Sequence, residues 1–198
     1  MACGHPGGPA KPRADRTAPD SFQVAIETTR GQIVMMAIRG WAPHGVDRFY
    51  SLVRQHYYDN APVYRVVPRF VAQFGLAADP ALTATFKKLA IPDDSVRHSN
   101  VRGAVSFASA GPGTRTTQLF INLVDNPRLD GGGRGGYPPI GEVVRGMEFV
   151  DQFDAEYEGK MPGRVQDSIS RQGDAYIRRA FPRLDHVRSM RIVREWKR

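Results

Sequence analysis

Two polar side chains stand where an apolar strand pair would ordinarily carry none. In the stretch Val63-Tyr64-Arg65-Val66-Val67-Pro68-Arg69-Phe70-Val71-Ala72-Gln73-Phe74-Gly75, Arg65 and Gln73 are set among aromatic and β-branched neighbours. A guanidinium stays charged throughout the physiological range and donates through a rigid fork. Buried without a partner it would be too costly to keep. The pattern therefore predicts that Arg65 faces a cleft, where it acts as a fixed hydrogen-bond donor or closes a structural ion pair at the lip. Other chemistries lack their residues. His5, His44, His56, His98 and His186 are scattered without metal-ligand spacing. Ser106 and Ser109 have no nucleophile-elbow context. Gly131 to Gly136 is a glycine-rich loop with no Lys-Ser/Thr and helix behind it, so it is no phosphate cradle. No metal and no cofactor are expected.

The elements that must position Arg65 and Gln73 are short strands. Val63 to Val67 and Phe70 to Phe74 have high β-propensity and meet at Pro68-Arg69, where proline fits only the margin of a ladder. Further strands are predicted at about 104–108, 118–123 and 139–144. Phe22, Val24 and Ile26 alternate, Thr28-Thr29-Arg30-Gly31 turns, and Ile33 to Ile38 runs apolar again, which reads as a hairpin. Pro43 followed by Val46, Phe49, Tyr50 and Val53 at helical spacing predicts an amphipathic helix over about 43–55. Residues 76–102 read as a long excursion with a short helix at Ala81 to Leu89, and Met147, Val150 and Phe153 mark another short helix. After a linker at Gly159 to Gly163, Ile169, Tyr176, Ile177 and Ala180 predict one helix ending before Pro182. Met190, Ile192 and Val193 predict a last strand. Many short strands with end-plugging helices argue for a mainly β, closed antiparallel barrel.

Several blocks in order carry a resemblance. They are V-Y-R-V-V-P-x-F-x-x-Q from Val63, F-A-S-A-G-P-G-T-x-x-T-Q-L-F-I from Phe107, Leu129-Asp130-Gly131, and Ile140-Gly141-Glu142-Val143-Val144 with Gly146-Met147. Over about residues 22–154 the chain resembles the cyclophilin peptidyl-prolyl isomerases. The resemblance implies an eight-stranded barrel capped by two helices, here with an extra C-terminal helix inserted before the closing strand and adding no chemistry. It also implies rotation about X-Pro bonds in proline-containing polypeptides, assisting protein folding. The alternative is a proline-segment binding module or chaperone without turnover. Residue by residue, it makes Arg65 the donor to the prolyl nitrogen and Gln73 an anchor for substrate carbonyl. Phe70, Val71, Phe120 and Leu129 become the proline slot, Ala108 and Ser109 backbone partners of the preceding residue, and Gln118 the lining of an adjoining groove. Taken singly, Phe120 and Leu129 read equally as core. Arg128 stands where the family often has a cyclosporin-contacting Trp, so weak cyclosporin binding is expected. Tyr137 stands at a usual His, Val71 at a usual Met, and Phe74 and Leu76 at a usual Gly and Asp, departures expected to gather on the pocket rim.

Composition sets the remaining bounds. The 198 residues are 41% apolar and 24% charged, enough for one domain with a sizeable core and expected to be a monomer. The lone Cys3 allows no internal disulfide. Residues 1–20 hold seven Gly or Pro and read as a disordered tether, leaving 21–198 as the domain with an extension at about 157–198. Cys3-Gly4 ahead of that linker resembles the mature start of a bacterial lipoprotein, which would supply a lipid tether and a periplasmic location. An incidental Cys in a cytoplasmic protein is the alternative. No apolar run has the length of a transmembrane span. The net charge of +8 gathers toward the C-terminus, where residues 164–198 hold ten basic against four acidic side chains. No aromatic-interleaved basic stripe accompanies it, so a solvated surface is expected rather than a nucleic-acid partner.

Overall fold

The apolar alternation at the start of the chain sets its first hairpin. β1 (Ser21–Thr28) buries Phe22, Val24 and Ile26 and leaves the residues between them partly or fully exposed. It pairs antiparallel with β2 (Gln32–Ile38), Phe22 opposite Ala37 and Ile26 opposite Ile33. The computed structural model describes residues 15–131, 135–157 and 163–197. Its other strands are β3 (Ala61–Pro62), β4 (Arg65–Val67), β5 (Val71–Phe74), β6 (Ala104–Phe107), β7 (Leu119–Asn122), β8 (Pro139–Arg145) and β9 (His186–Trp196).

All nine strands belong to one antiparallel sheet ordered β3-β9-β1-β2-β8-β6-β7-β5-β4. The expected mainly β architecture is present, with one more strand than expected and a curled sheet in place of a fully closed barrel. The reason is covalent. The two end strands, β3 and β4, are separated by Val63 and Tyr64 alone, so the chain itself joins the margins that a ladder would otherwise have to close.

α1 (Pro43–Arg54) begins with proline at its first turn and has no capping side chain at Ala42. Asp94 supplies the missing acceptors, its two carboxylate oxygens taking the His44 and Gly45 N–H groups at 3.0 and 2.9 Å. The apolar face of the helix, Val46, Phe49, Leu52 and Val53, is buried in the main core, where the Phe22 and Phe49 rings stack at 6.1 Å. α2 (Pro80–Phe86) starts one residue earlier than predicted, with Asp79 accepting the Ala81 N–H. α3 (Met147–Val150) is the second short helix foreseen.

The end of the chain differs from expectation. Its single predicted helix is two, α4 (Gly163–Gln172) and α5 (Asp174–Ala180). Gly173 separates them at φ +60°, and a Cβ there would lie 2.3 Å from the Ala78 carbonyl oxygen, so only glycine lets the helical pair settle against that loop. The pair has its own small core, in which Ile169, Ile177 and Leu184 pack with Tyr64 and Leu76. Three of the C-terminal cations are paired on the surface: Arg178 with Asp174, Arg183 with Glu156 and Arg191 with Asp59.

Residues 15–20, expected to belong to a tether, are held on the domain. Asp15 receives the buried Arg48 guanidinium, Arg16 N–H donates to Ser51 Oγ and Ala18 N–H to Asp47. Cys3 and the rest of the stretch lie outside the described residues. No helix among the described residues is long and apolar enough to cross a membrane.

Candidate active site

Strand alternation builds the site. Val66, Ala72, Phe74, Leu119, Ile121, Val105 and Phe107 point into the main core. Their neighbours along each strand must therefore face the other side of the sheet. Register then lines those neighbours up: Arg65 is opposite Gln73 across β4 and β5, Gln73 opposite Phe120 across β5 and β7, and Phe120 opposite Ser106 across β7 and β6. One row across four strands thus carries a cation, an amide and a phenyl ring.

A cavity of about 260 Å³ opens on that row. Arg65, Phe70, Val71, Gln73, Ala108, Ser109, Phe120, Leu129 and Tyr137 line it, which brings together every site residue predicted from the sequence except Gln118. Gln118 lies, as expected, in the adjoining groove, which shares Gln73, Ala108 and Ser109 with the cavity.

Polar contacts fix the donors. Arg65 Nη1 donates to Gln73 Oε1 at 3.1 Å, and Gln73 Nε2 donates to Gln118 Oε1 at 3.3 Å. The Tyr64 hydroxyl donates to the same Gln118 oxygen. Tyr64 is fully buried, and that burial pushes its hydroxyl far above the ordinary tyrosine pKa, so it remains a donor. Arg65 is half-buried, and among the described residues its guanidinium lines the cavity and bonds Gln73 rather than a carboxylate. Ala108 and Ser109 line the cavity, and Ala108 N–H is already engaged by the Gln118 carbonyl at 2.9 Å.

Sequence reasoning missed what holds the pocket wall. Asn100, Ser106 and Asn122 are fully buried. Ser106 Oγ and Asn122 Nδ2 both donate to Asn100 Oδ1, at 2.9 and 3.2 Å. Asn100 Nδ2 in turn donates to Asp130 and to the Tyr137 carbonyl, at 2.8 and 2.9 Å. Asn126 Nδ2 ties Asn122 Oδ1 to the Phe70 carbonyl. This network clamps the segments bearing Phe70, Leu129 and Tyr137 onto the sheet. Burial alone would push the Asp130 carboxyl up. Hydrogen bonds from Ser99 and from the Asn100 side chain and N–H outweigh it and hold Asp130 below the usual carboxylate range. The one sequence signal was an Asn at the end of the otherwise apolar run Leu119-Phe120-Ile121-Asn122.

The departures from the family pattern divide. Arg128 does lie at the rim, its Cζ 4.6 Å above the Phe70 ring, and Tyr137 meets Phe120 edge-on with centroids 5.7 Å apart. Phe74 and Leu76 do not. Phe74 points into the main core against Tyr58, and Leu76 joins the small core under α4 and α5. Phe74 follows Gln73 on the same strand, so alternation sends it inward.

Comparison with known proteins places the fold and the family. The family model described as cyclophilin type peptidyl-prolyl cis-trans isomerase/CLD matches residues 23–172. The chain belongs to the cyclophilin family. Among curated relatives, the cyclophilin is 35% identical over 136 residues to a Schizosaccharomyces pombe peptidyl-prolyl cis-trans isomerase, covering 66% of this chain and 83% of the relative. It is 32% identical over 150 residues to Escherichia coli peptidyl-prolyl cis-trans isomerase B, covering 73% of this chain and 90% of the relative. A Cryptosporidium parvum cyclophilin type peptidyl-prolyl cis-trans isomerase shares the fold, with TM-score 0.63 at 20% identity over 89% of this chain and 99% of the other. That structure has also been solved in the presence of the dipeptide Ala-Pro, where it aligns with TM-score 0.61 at 20% identity over 87% of this cyclophilin and 99% of the other chain.

Proposed function

We propose that this cyclophilin isomerises X-Pro bonds in flexible or unfolded polypeptides, with the cavity as its proline slot and Arg65 as its donor. The supporting observation is the row Arg65, Gln73 and Phe120, which sets a half-buried guanidinium, without a carboxylate partner among the described residues, beside an aromatic wall at one open cavity.

Rotation about a peptide bond must break amide resonance, at a barrier of about 20 kcal/mol. As the bond twists, electron density returns to the prolyl nitrogen. A fixed cation within a partly desolvated cleft stabilises that density more than it stabilises the planar ground state, which is the condition for acceleration. Lowering the barrier by about 7 kcal/mol would speed the step roughly 10⁵-fold. Phe70, Val71, Phe120 and Leu129 would grip the ring. Gln73, oriented from one side by Arg65 and from the other by Gln118, would hold a flanking substrate carbonyl through its amide. Ala108 and Ser109 would meet the residue before proline through backbone groups.

Arg128 occupies the space above Phe70, so cyclosporin should bind weakly, and the same obstruction favours the second reading, a module that holds proline segments without turning them over. Exchange NMR on an Ala-Pro peptide separates the two. Enhanced cis/trans exchange that disappears in Arg65→Ala supports the isomerase, and binding without enhanced exchange leaves the module.

A further inference from the structure

The groove beside the cavity has a wall that the sheet does not supply. Its volume is about 450 Å³, and beyond the shared Gln73, Ala108 and Ser109 its far side carries Lys87, at the end of α2, and Gln166 of α4. The helix is anchored in that place. Ile169 is fully buried against the cluster containing Tyr64 and Leu76, and Asp174 N–H, just past Gly173, donates to the Ala78 carbonyl at 3.1 Å. The inserted helix was expected to add no chemistry; it nonetheless borders the groove beside the cavity.

The lining has a definite polarity. Among the described residues that border the groove, Lys87 alone is charged, and the others are small or neutral and polar. Lys87 Nζ has a carboxylate partner in Asp167 at 4.0 Å, with side chains 70% and 62% exposed. An exposed pair at that separation contributes little, so Lys87 can take a better-placed anion.

We propose that α4 enlarges the substrate site, and that Lys87 with Gln166 selects an acidic side chain on the residue two before the proline. The inference rests on the cavity being the proline slot. A substrate with proline there and the preceding residue along Ala108 and Ser109 advances about 3.3–3.6 Å per residue, which carries the next side chain into the groove. There a carboxylate meets the Lys87 ammonium and the donor end of the Gln166 amide, while a cationic side chain meets a like charge and is repelled.

The test is a ratio. Peptides of the form Xaa-Ala-Pro-Phe, with Xaa as Glu, Gln or Lys, are compared by exchange NMR on the full chain, reading kcat/KM. The proposal expects Glu to exceed Lys by about two- to five-fold at low salt, with the advantage shrinking at high salt. Lys87→Glu should invert the order, and Gln166→Ala should narrow the gap between Glu and Lys. Each ratio is measured within one sample, so a partly folded variant lowers both rates and leaves the ratio readable. The salt dependence of the unaltered chain needs no variant. Equal rates for Glu and Lys in the unaltered protein, or a ratio that survives Lys87→Glu, overturns the proposal. If all peptides are accelerated alike and Arg65→Ala stops them, the selection alone is wrong. If none is accelerated, the reading of the cavity falls with it.

Discussion

Arg65 and Gln73 face each other across the hairpin of β4 and β5, and the guanidinium donates to the amide oxygen at 3.1 Å. This bond turns the Gln73 NH₂ group toward Gln118 and keeps the guanidinium at the cavity rather than in solvent. The two side chains therefore work as one unit. Gln73→Ala should lower kcat/KM by about tenfold, the value of one neutral-to-charged hydrogen bond of ~1.4 kcal/mol. The same peptide assay checks it, and Gln73→Ala combined with Arg65→Ala should cost less than the two separate losses together, since both remove one arrangement.

Tyr64 links the small core under α4 and α5 to that unit, because its ring packs with Ile169 and Ile177 while its hydroxyl holds Gln118. Tyr64→Phe keeps the packing and removes the donor. Stability should fall by about 1 kcal/mol, as for an ordinary buried hydrogen bond. Turnover should fall several-fold through Gln118 and Gln73, with KM less affected than kcat. Thermal unfolding and steady-state kinetics on one preparation read both.

Asn100 is the hub of the network under the pocket wall, bonded to Ser106, Asn122, Asp130 and the Tyr137 carbonyl. Asn100→Ala strands several buried polar groups, which should cost about 2–3 kcal/mol. The loops carrying Leu129 and Tyr137 lose their tie, so KM should rise. Hydrogen exchange of residues 126–131 and 135–137 should quicken at the same time.

Asp130 makes part of that network dependent on pH. Its folded pKa is held below the usual value near ~3.9, so its contribution is complete above that value and is lost as pH falls through the lower folded pKa. Asp130→Asn should therefore lower stability near neutral pH and flatten the acid limb of the stability curve below about pH 4. Urea unfolding at a series of pH values gives both.

How much of this was visible beforehand depends on the range of the interaction. The hairpin of β1 and β2 was legible because Phe22, Val24 and Ile26 alternate locally. The pocket residues were legible through their blocks and spacing. Phe74 was misjudged because its direction follows from the pleat, which sends it opposite to Gln73. The break between α4 and α5 was missed because Gly173 acts through the Ala78 carbonyl, almost a hundred residues away in sequence, and no local pattern shows that approach. Asn100, in the loop before β6, meets Asn122 only once β6 and β7 are paired, so neither showed as part of a site. Asp15 was read with a glycine- and proline-rich stretch, although Arg48 on α1 holds it to the domain.

The central claim is that the guanidinium at the end of the Arg65–Gln73–Phe120 row lowers the barrier to prolyl rotation. Exchange NMR on an Ala-Pro peptide, with unaltered protein and Arg65→Ala at matched concentration and with unfolding curves for both, tests it most directly. The predicted result is a loss of about 10²-fold or more in kcat/KM at nearly unchanged stability, the scale expected when one preorganised donor is removed. An Arg65→Ala protein that still accelerates exchange at the original rate would contradict it.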